Sequence, residues 1–279
     1  MEKIRQGVFS GERSLFMAEN LEIYDTVFAD GESPLKESAS IRLDGCIFKW
    51  KYPVWYSRDI SIRNTTFLES ARSGIWYTDN VSMDSCTLDA PKTFRRCYGV
   101  DISNTTMPNA KETLWSCTNV TLNNVSCKGD YFGMNSSGVR AEGLMLSGNY
   151  AFDGGQDISV SNSRLVSKDA FWNCKNVIVT DSVIIGEYLG WNSENVTFIN
   201  CTIESNQGLC YMENVKLVNC KLIFTDLAFE FSTVDAEIVG EIESVKNPTS
   251  GRIKAGRINE LIMEEDVIDP SFTRIITEE

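Results

Sequence analysis

The chain has 279 residues, 42% of them apolar, and carries 39 acidic against 26 basic residues for a formal net charge of −13. That is enough apolar material for a sizeable core, and a charge that opposes nucleic acid and anionic membrane surfaces. There is no histidine, which removes the commonest general base, the commonest metal ligand and every Ser-His or Cys-His nucleophile pair.

The opening stretch, Met1-Glu2-Lys3-Ile4-Arg5-Gln6-Gly7, holds no apolar run of signal-peptide length, and no later span reaches transmembrane length. The expectation is a cytoplasmic chain without a membrane or nucleic-acid partner. Residues 1–15 are expected to form an N-terminal cap.

Residues 16–243 repeat with a period of 19–21. Twelve anchors, each just before an apolar-x-apolar pair, stand at Asn20, Ser40, Asp59, Asn80, Gly99, Asn119, Gly138, Asp157, Asn176, Asn195, Asn214 and Asp235. One residue on, the column is Leu, Ile, Val or Ala throughout, and three residues on it is again apolar (Ile23, Leu43, Ile62, Met83, Ile102, Leu122 and onward). Spacing of two with one apolar face is a short strand. Five residues after the anchor stand only Asn, Asp, Gly or Ser, including Asn64, Asn104, Asn124, Asn200 and Asn219. Asn, Asp and Gly tolerate positive φ, so the chain is expected to turn there once per repeat. A second apolar position at plus eight (Phe28, Phe48, Phe67, Leu88) marks a second strand.

A repeat of this length, with two strands, tight turns and no room for a helix, is one coil of a solenoid. The predicted fold is all-β: a single-stranded right-handed parallel β-helix of about 12 coils forming one domain over 1–279. Right-handedness follows from the near-universal hand of β-crossovers. Leucine-rich repeats place their Asn one residue further from the paired leucines, and left-handed hexapeptide solenoids need a six-residue apolar period that is absent. From 244 to 279 the register loosens. Lys246–Gly251 reads as a turn, Ile253, Ala255, Ile258 and Ile262 as one or two irregular further strands, and the acidic tail from Glu264 as protection for an open edge.

The nine cysteines include no Cys-x-x-Cys. Cys46, Cys86, Cys201 and Cys220 share the column at plus six, and Cys97, Cys117 and Cys174 share the column at minus two, where most other coils carry Ser, Thr, Ala or Gly. They are expected to be free, buried, structural thiols, with no metal site, no cofactor and no disulfide.

Four residues before each anchor runs a column containing five of the six tryptophans: Phe16, Lys36, Trp55, Trp76, Arg95, Trp115, Met134, Asp153, Trp172, Trp191, Cys210 and Phe231. The column before it (Leu15, Leu35, Val54, Ile75, Phe94, Leu114) is expected to point inward, so the tryptophan column faces at least partly out. Four segments upstream repeat a polar-then-aromatic pattern: Gly129-Asp-Tyr-Phe-Gly-Met-Asn, Gly148-Asn-Tyr-Ala-Phe-Asp-Gly, Ser167-Lys-Asp-Ala-Phe-Trp-Asn and Gly186-Glu-Tyr-Leu-Gly-Trp-Asn. Flat rings beside carboxylates suit a sugar chain, whose apolar face packs on rings and whose hydroxyls meet polar groups. The candidate ligand-binding residues are Trp115, Tyr131, Trp172, Tyr188 and Trp191, with an oligosaccharide as the expected partner. Asp130, Asp153, Asp169 and Glu187 are the candidate catalytic carboxylates, since a chain without histidine must move protons with carboxylates, Lys, Arg or Tyr. Any enzyme here is a histidine-independent glycoside hydrolase or polysaccharide lyase. The alternative is a non-catalytic solenoid scaffold whose rings only cover a wall and whose acids form surface ion pairs. Oligomeric state has no signature in the sequence.

The segments Gly11-Glu-Arg-Ser-Leu-Phe, Asp30-Gly-Glu-Ser-Pro-Leu-Lys-Glu-Ser, Phe48-Lys-Trp-Lys-Tyr-Pro-Val-Trp-Tyr, Gly74-Ile-Trp-Tyr-Thr-Asp, Ala90-Pro-Lys-Thr-Phe-Arg-Arg, Gly129-Asp-Tyr-Phe, Lys168-Asp-Ala-Phe-Trp-Asn and Gly186-Glu-Tyr-Leu-Gly-Trp-Asn resemble the bacterial family catalogued as domain of unknown function 3737, a pectin-lyase-like parallel β-helix family. The resemblance covers residues 1–240. It implies the fold and carries over no catalytic residue. The Asn-Thr-Asp, Asp-Asp, Gly-His-Gly and Arg-Ile-Lys set of polygalacturonase-type enzymes is missing, as is the acidic calcium cluster of pectate lyases. Analogy to carbohydrate enzymes therefore rests on fold alone.

Overall fold

The computed structural model describes residues 2–278, in two compact units, Met1–Met145 and Leu146–Glu279. Every pairing between coils is parallel, as a solenoid requires. In the first unit the main wall is built from Glu2–Arg5, Glu19–Tyr24, Ala39–Asp44, Arg58–Arg63, Asp79–Asp84, Tyr98–Ser103, Thr118–Asn123 and Ser137–Glu142. The second wall is made of short strands such as Val27–Phe28, Ile47–Phe48, Thr66–Phe67 and Thr87–Leu88. A third, shorter wall pairs Val54–Trp55, Ile75–Trp76 and Phe94–Arg95. In the second unit the main wall is Gln156–Ser161, Lys175–Thr180, Glu194–Ile199, Glu213–Leu222, Thr233–Ile238, Ser250–Ala255 and Thr273–Thr277.

The described residues thus hold fifteen main-wall strands, eight in one unit and seven in the other, where the repeat pattern finds twelve coils. The extra three lie at the ends. The segment 2–15 is itself a coil, since Glu2–Arg5 pairs with Leu21–Tyr24 in full register. Its inward positions are too degenerate to match the columns. Strands 250–255 and 273–277 add two more coils. One anchor is corrected. Val215 pairs with Val234, so the last regular coil begins at Thr233 and not at Asp235. Val234, Ala236 and Ile238 all face inward there, and the pairing slips by one residue beyond Leu217, so a count back from the Ala236–Ile238 pair lands two residues late.

The period-2 columns are core. Leu21, Ile41, Ile60, Val81, Val100 and Val120 are at most 7% exposed, and the residues two further on are buried with them. Behind the second wall Phe9, Phe28, Phe48 and Phe67 stack with ring centroids 5.5, 4.5 and 4.7 Å apart. Burying each such ring contributes about 2–3 kcal/mol. The column at plus five is left-handed in every coil, from Asp25 (φ 48) to Asn219 (φ 53). Its amides form a ladder: Asn219 donates to Asn200 (2.8 Å), and Asn200 donates to Asp181 (3.0 Å). The anchor residues form a second left-handed corner that the repeat pattern did not reveal. Asn214, Asn195 and Asn176 there donate in series down to Asp157 (2.7, 3.1 and 2.8 Å).

All nine cysteines are buried free thiols. Their columns are small because the side chain folds back onto the carbonyl two residues earlier. Thr65 Oγ1 donates to Arg63 O at 2.7 Å, and Cys86 Sγ reaches Asp84 O at 3.2 Å in the same way. Burial pushes the Cys86 thiol up to about 11 and those of Cys127 and Cys174 up to about 12, so these are unreactive core groups. No described helix is long and apolar enough to cross a membrane.

Candidate functional site

The tryptophan column is half-buried in both units, with two exceptions: Phe16 is exposed and Cys210 is fully enclosed. In the first unit it forms a closed stack. The indoles of Trp55 and Trp76 lie parallel, 5.0 Å apart and 6° from coplanar. The Arg95 guanidinium fills the next slot, 4.6 Å from the Trp76 ring and 4.3 Å from the Trp115 ring. Each indole N–H donates to a carbonyl one coil on: Trp55 to Ser73, Trp76 to Lys92 and Trp115 to Tyr131 (2.6, 2.8 and 2.8 Å). Tyr131 meets Trp115 edge-on at 6.4 Å, and Asp130 beside it is exposed. Most ring faces here are taken up by one another. Arg95, which the sequence marks only as a polar member of an outward column, acts as a cationic ring substitute. Glu112 holds both Arg95 (3.5 Å) and Lys92 (2.9 Å).

The remaining six candidates belong to the second unit. Trp191 donates its indole N–H to Gln207 O at 2.6 Å and meets Tyr188 at 5.0 Å and Tyr211 at 4.9 Å, both rings steeply inclined. Glu187 is exposed and ion-paired with Lys168 at 3.3 Å. The Lys168 ammonium also lies 5.1 Å from the centre of the Tyr188 ring, and the Glu187 hydrogen bond pushes its pKa up. Asp153 accepts a hydrogen bond from Asn173 at 3.1 Å. Trp172 packs against Tyr150 at 6.2 Å. Its buried indole N–H, unlike those of Trp55, Trp76, Trp115 and Trp191, has no acceptor among the described residues.

Asp169 differs from the other acids. It is 5% exposed, and among the described residues no donor bonds to its carboxyl. Burial pushes its pKa up. Lys168 opposes that shift, while Glu187 and Asp153 add to it by like-charge repulsion. One face of this unit therefore gathers an acid whose pKa burial raises, two further carboxylates, an ammonium and the rings of Tyr188 and Trp191. Among the described residues no group of three or more Cys, Asp or Glu is arranged to hold a metal ion.

The family model described as "Protein of unknown function (DUF3737)" matches residues 2–276. The chain belongs to this family. No curated protein matches the sequence. Among solved structures, this DUF3737 chain is similar to the tailspike of E. coli bacteriophage HK620, solved with a pentasaccharide (11% identity, TM-score 0.36), covering 92% of this chain and 62% of the tailspike chain. It is also similar to the A-module of the Azotobacter vinelandii mannuronan C-5 epimerase AlgE6 (10%, TM-score 0.39, 98% of this chain and 85% of that one) and to the Streptococcus pneumoniae surface adhesin PfbA (11%, TM-score 0.38, 99% and 83%). With TM-scores this low, no residue role or activity transfers to this DUF3737 chain.

The buried acid has a consequence for stability. The folded-state pKa of Asp169 lies above its ordinary value of 3.8. The fold is therefore penalised as pH rises past the unfolded value, and the penalty is complete above the folded one. Asp169→Asn removes it. The variant is expected to melt above the parent at neutral pH, with the gap closing as pH falls to the ordinary aspartate range. An equal or lower melting temperature at neutral pH means that the carboxylate is stabilised where it sits, and a ligand-binding role for it loses its motive.

Proposed function

We propose that the second unit binds a neutral oligosaccharide on the face carrying Asp153, Lys168, Asp169, Glu187, Tyr188 and Trp191. The observation that carries this reading is Asp169, which is 5% exposed as a residue and has no protein donor to its carboxyl among the described residues, beside the Lys168–Glu187 ion pair and the Tyr188 ring. An acid whose pKa is raised by burial amid other charged groups is a candidate functional position. A sugar hydroxyl can donate to its solvent-reached oxygens. The ring of Tyr188 offers an apolar surface beside it, and Lys168 can donate to a ring or glycosidic oxygen. The unit holds 21 Asp and Glu against 10 Lys and Arg, which selects uncharged sugars over acidic ones. If the bound chain is also cleaved, Asp169, whose pKa burial raises, is the candidate proton donor, with Glu187 or Asp153 as the second carboxylate.

The test is calorimetry against a panel of neutral oligosaccharides, with a reducing-end assay for turnover. Asp169→Asn and Tyr188→Ala are each expected to weaken binding about tenfold, the loss of one charged hydrogen bond or one ring contact. Asp169→Asn also abolishes any turnover. Equal affinity of parent and variants, or no neutral sugar bound at all, defeats the reading. The scaffold alternative then stands, and the closed ring stack of the first unit favours it.

A further inference from the structure

The neutral-sugar face continues beyond the residues that periodicity groups. Three backbone hydrogen bonds hold its polar rows in register: Asp169 N donates to Glu187 O (2.8 Å), Tyr188 N to Asn206 O (3.0 Å) and Gln207 N to Asp226 O (3.1 Å). Lys168, Glu187, Asn206 and Asp226 therefore succeed one another from coil to coil, with Asp169, Tyr188 and Gln207 one residue further along. Asn206 is exposed and Gln207 half-buried, and among the described residues neither side-chain amide has a hydrogen-bond partner. The ring column continues as well, by a different device. The coil after Trp191 carries the small, fully enclosed Cys210 at the tryptophan position. The next residue, Tyr211, supplies the ring instead, 4.9 Å from Trp191 and 5.5 Å from Phe231 in the coil beyond. Tyr211 is 39% exposed, and its hydroxyl has no hydrogen-bond partner among the described residues. Successive rings from Tyr188 to Phe231 are inclined by 70°, 59° and 42°, against 6° for Trp55 on Trp76. Inclined rings leave part of each face open, where the parallel indoles of the first unit cover one another.

We infer that Asn206, Gln207 and Tyr211 extend the sugar site, and that its ligand is a linear neutral oligosaccharide lying along the direction in which the coils stack. The inference rests on the neutral-sugar reading and adds to it the length and direction of the bound chain. A coil step of about 4.8 Å is close to the length of one pyranose in a linear chain, so side chains that recur once per coil meet successive sugar units. Lys168, Glu187, Asn206 and Asp226 span three such steps. A chain lying across a single coil could not touch Asp169 and Tyr211 together, because they stand two coils apart. An uncharged amide both donates and accepts, which suits hydroxyls, and the open part of the Tyr211 ring packs against the apolar side of a sugar. The charged side chains that act on Tyr211 are Glu230 and Lys246, paired with each other at 2.8 Å, so the extension offers an acidic sugar no unpaired cation.

The experiment is calorimetry of the full chain with cello-, manno- and malto-oligosaccharides of two to six units. In a series that binds, affinity is expected to rise about tenfold or more from the disaccharide to the tetrasaccharide and then to level off. Tyr211→Ala and Asn206→Ala are each expected to cut tetrasaccharide affinity severalfold and to bring the ratio of tetrasaccharide to disaccharide affinity towards one. Asp169→Asn lowers both affinities and keeps the ratio, because Asp169 lies at the start of the site and not in its extension. Asn206 is exposed and its side chain has no partner, so Asn206→Ala is expected to melt with the parent, and a change in its ratio cannot come from unfolding. Equal affinity for disaccharide and tetrasaccharide, or a gain with length that survives both Tyr211→Ala and Asn206→Ala, overturns the extension while the neutral-sugar reading stands. Absence of binding at every length in all three series overturns both.

Discussion

Phe48→Ala is expected to destabilise the first unit by about 3–5 kcal/mol, the range for deleting an enclosed aromatic side chain. Phe48 is fully buried, between Phe28 at 4.5 Å and 1° and Phe67 at 4.7 Å and 20°. Removing its ring opens a gap in the middle of a stack. The neighbouring rings cannot close it, because parallel pairing of Ile47–Phe48 with Val27–Phe28 and Thr66–Phe67 fixes the coil spacing. A solenoid coil touches only its neighbours, so the loss is local. Hydrogen exchange should speed up first in these three strands, and urea denaturation should show the full loss. Phe48→Leu, which refills most of the volume, should recover more than half of it. A loss below about 1 kcal/mol would show that the site collapses freely, against the packing described here.

Gly186→Ala is expected to lower stability by on the order of 3 kcal/mol and to abolish sugar binding. Gly186 has φ +159, and a Cβ built there lies 2.0 Å from Ser167 O and 2.9 Å from Lys168 N. Both are backbone atoms, so no rotamer change relieves the clash. The strand spacing has to open at the point where Lys168 meets Glu187 (3.3 Å) and where Asp169 N donates to Glu187 O (2.8 Å). The variant should therefore lose ligand affinity more completely than Asp169→Asn does, and with a lower melting temperature, whereas Asp169→Asn loses affinity with a higher one. Parent-like melting of Gly186→Ala would show that the coils have slack in the stacking direction.

How much of this was legible beforehand follows from the physics of a solenoid. The columns were readable because every coil repeats the same local problem. Inward positions at spacing two need apolar side chains, and the corner at plus five needs a residue that accepts positive φ, so Asn64, Asn104 and Asn200 announce it. The small-residue columns followed likewise, which is why Cys46 and Cys201 were recognisable as core. The end coils were not readable. Residues 2–15 and 250–277 carry the same backbone on a degenerate pattern, and their register is held by strand pairing rather than by column identity.

At the surface, periodicity alone identified which residues share a face, because stacking turns a repeat in sequence into neighbours in space. It grouped Trp115, Met134, Asp153, Trp172 and Trp191 with Asp130, Tyr131, Asp169, Glu187 and Tyr188 as one strip, and marked Arg95 as a member of the tryptophan column. What each group does there was decided by tertiary structure. Burial and missing donors single out Asp169 from Asp153 and Glu187, and no one-dimensional pattern encodes solvent access. Ring orientation is likewise a property of the packed stack. The tryptophan faces of the first unit close on one another and on Arg95, while the inclined rings of Trp191, Tyr211 and Phe231 leave theirs partly open. Sequence determined the coil, the core and the membership of each column. Desolvation and side-chain direction, which exist only once coils are stacked, decided which of those columns offers chemistry to a ligand.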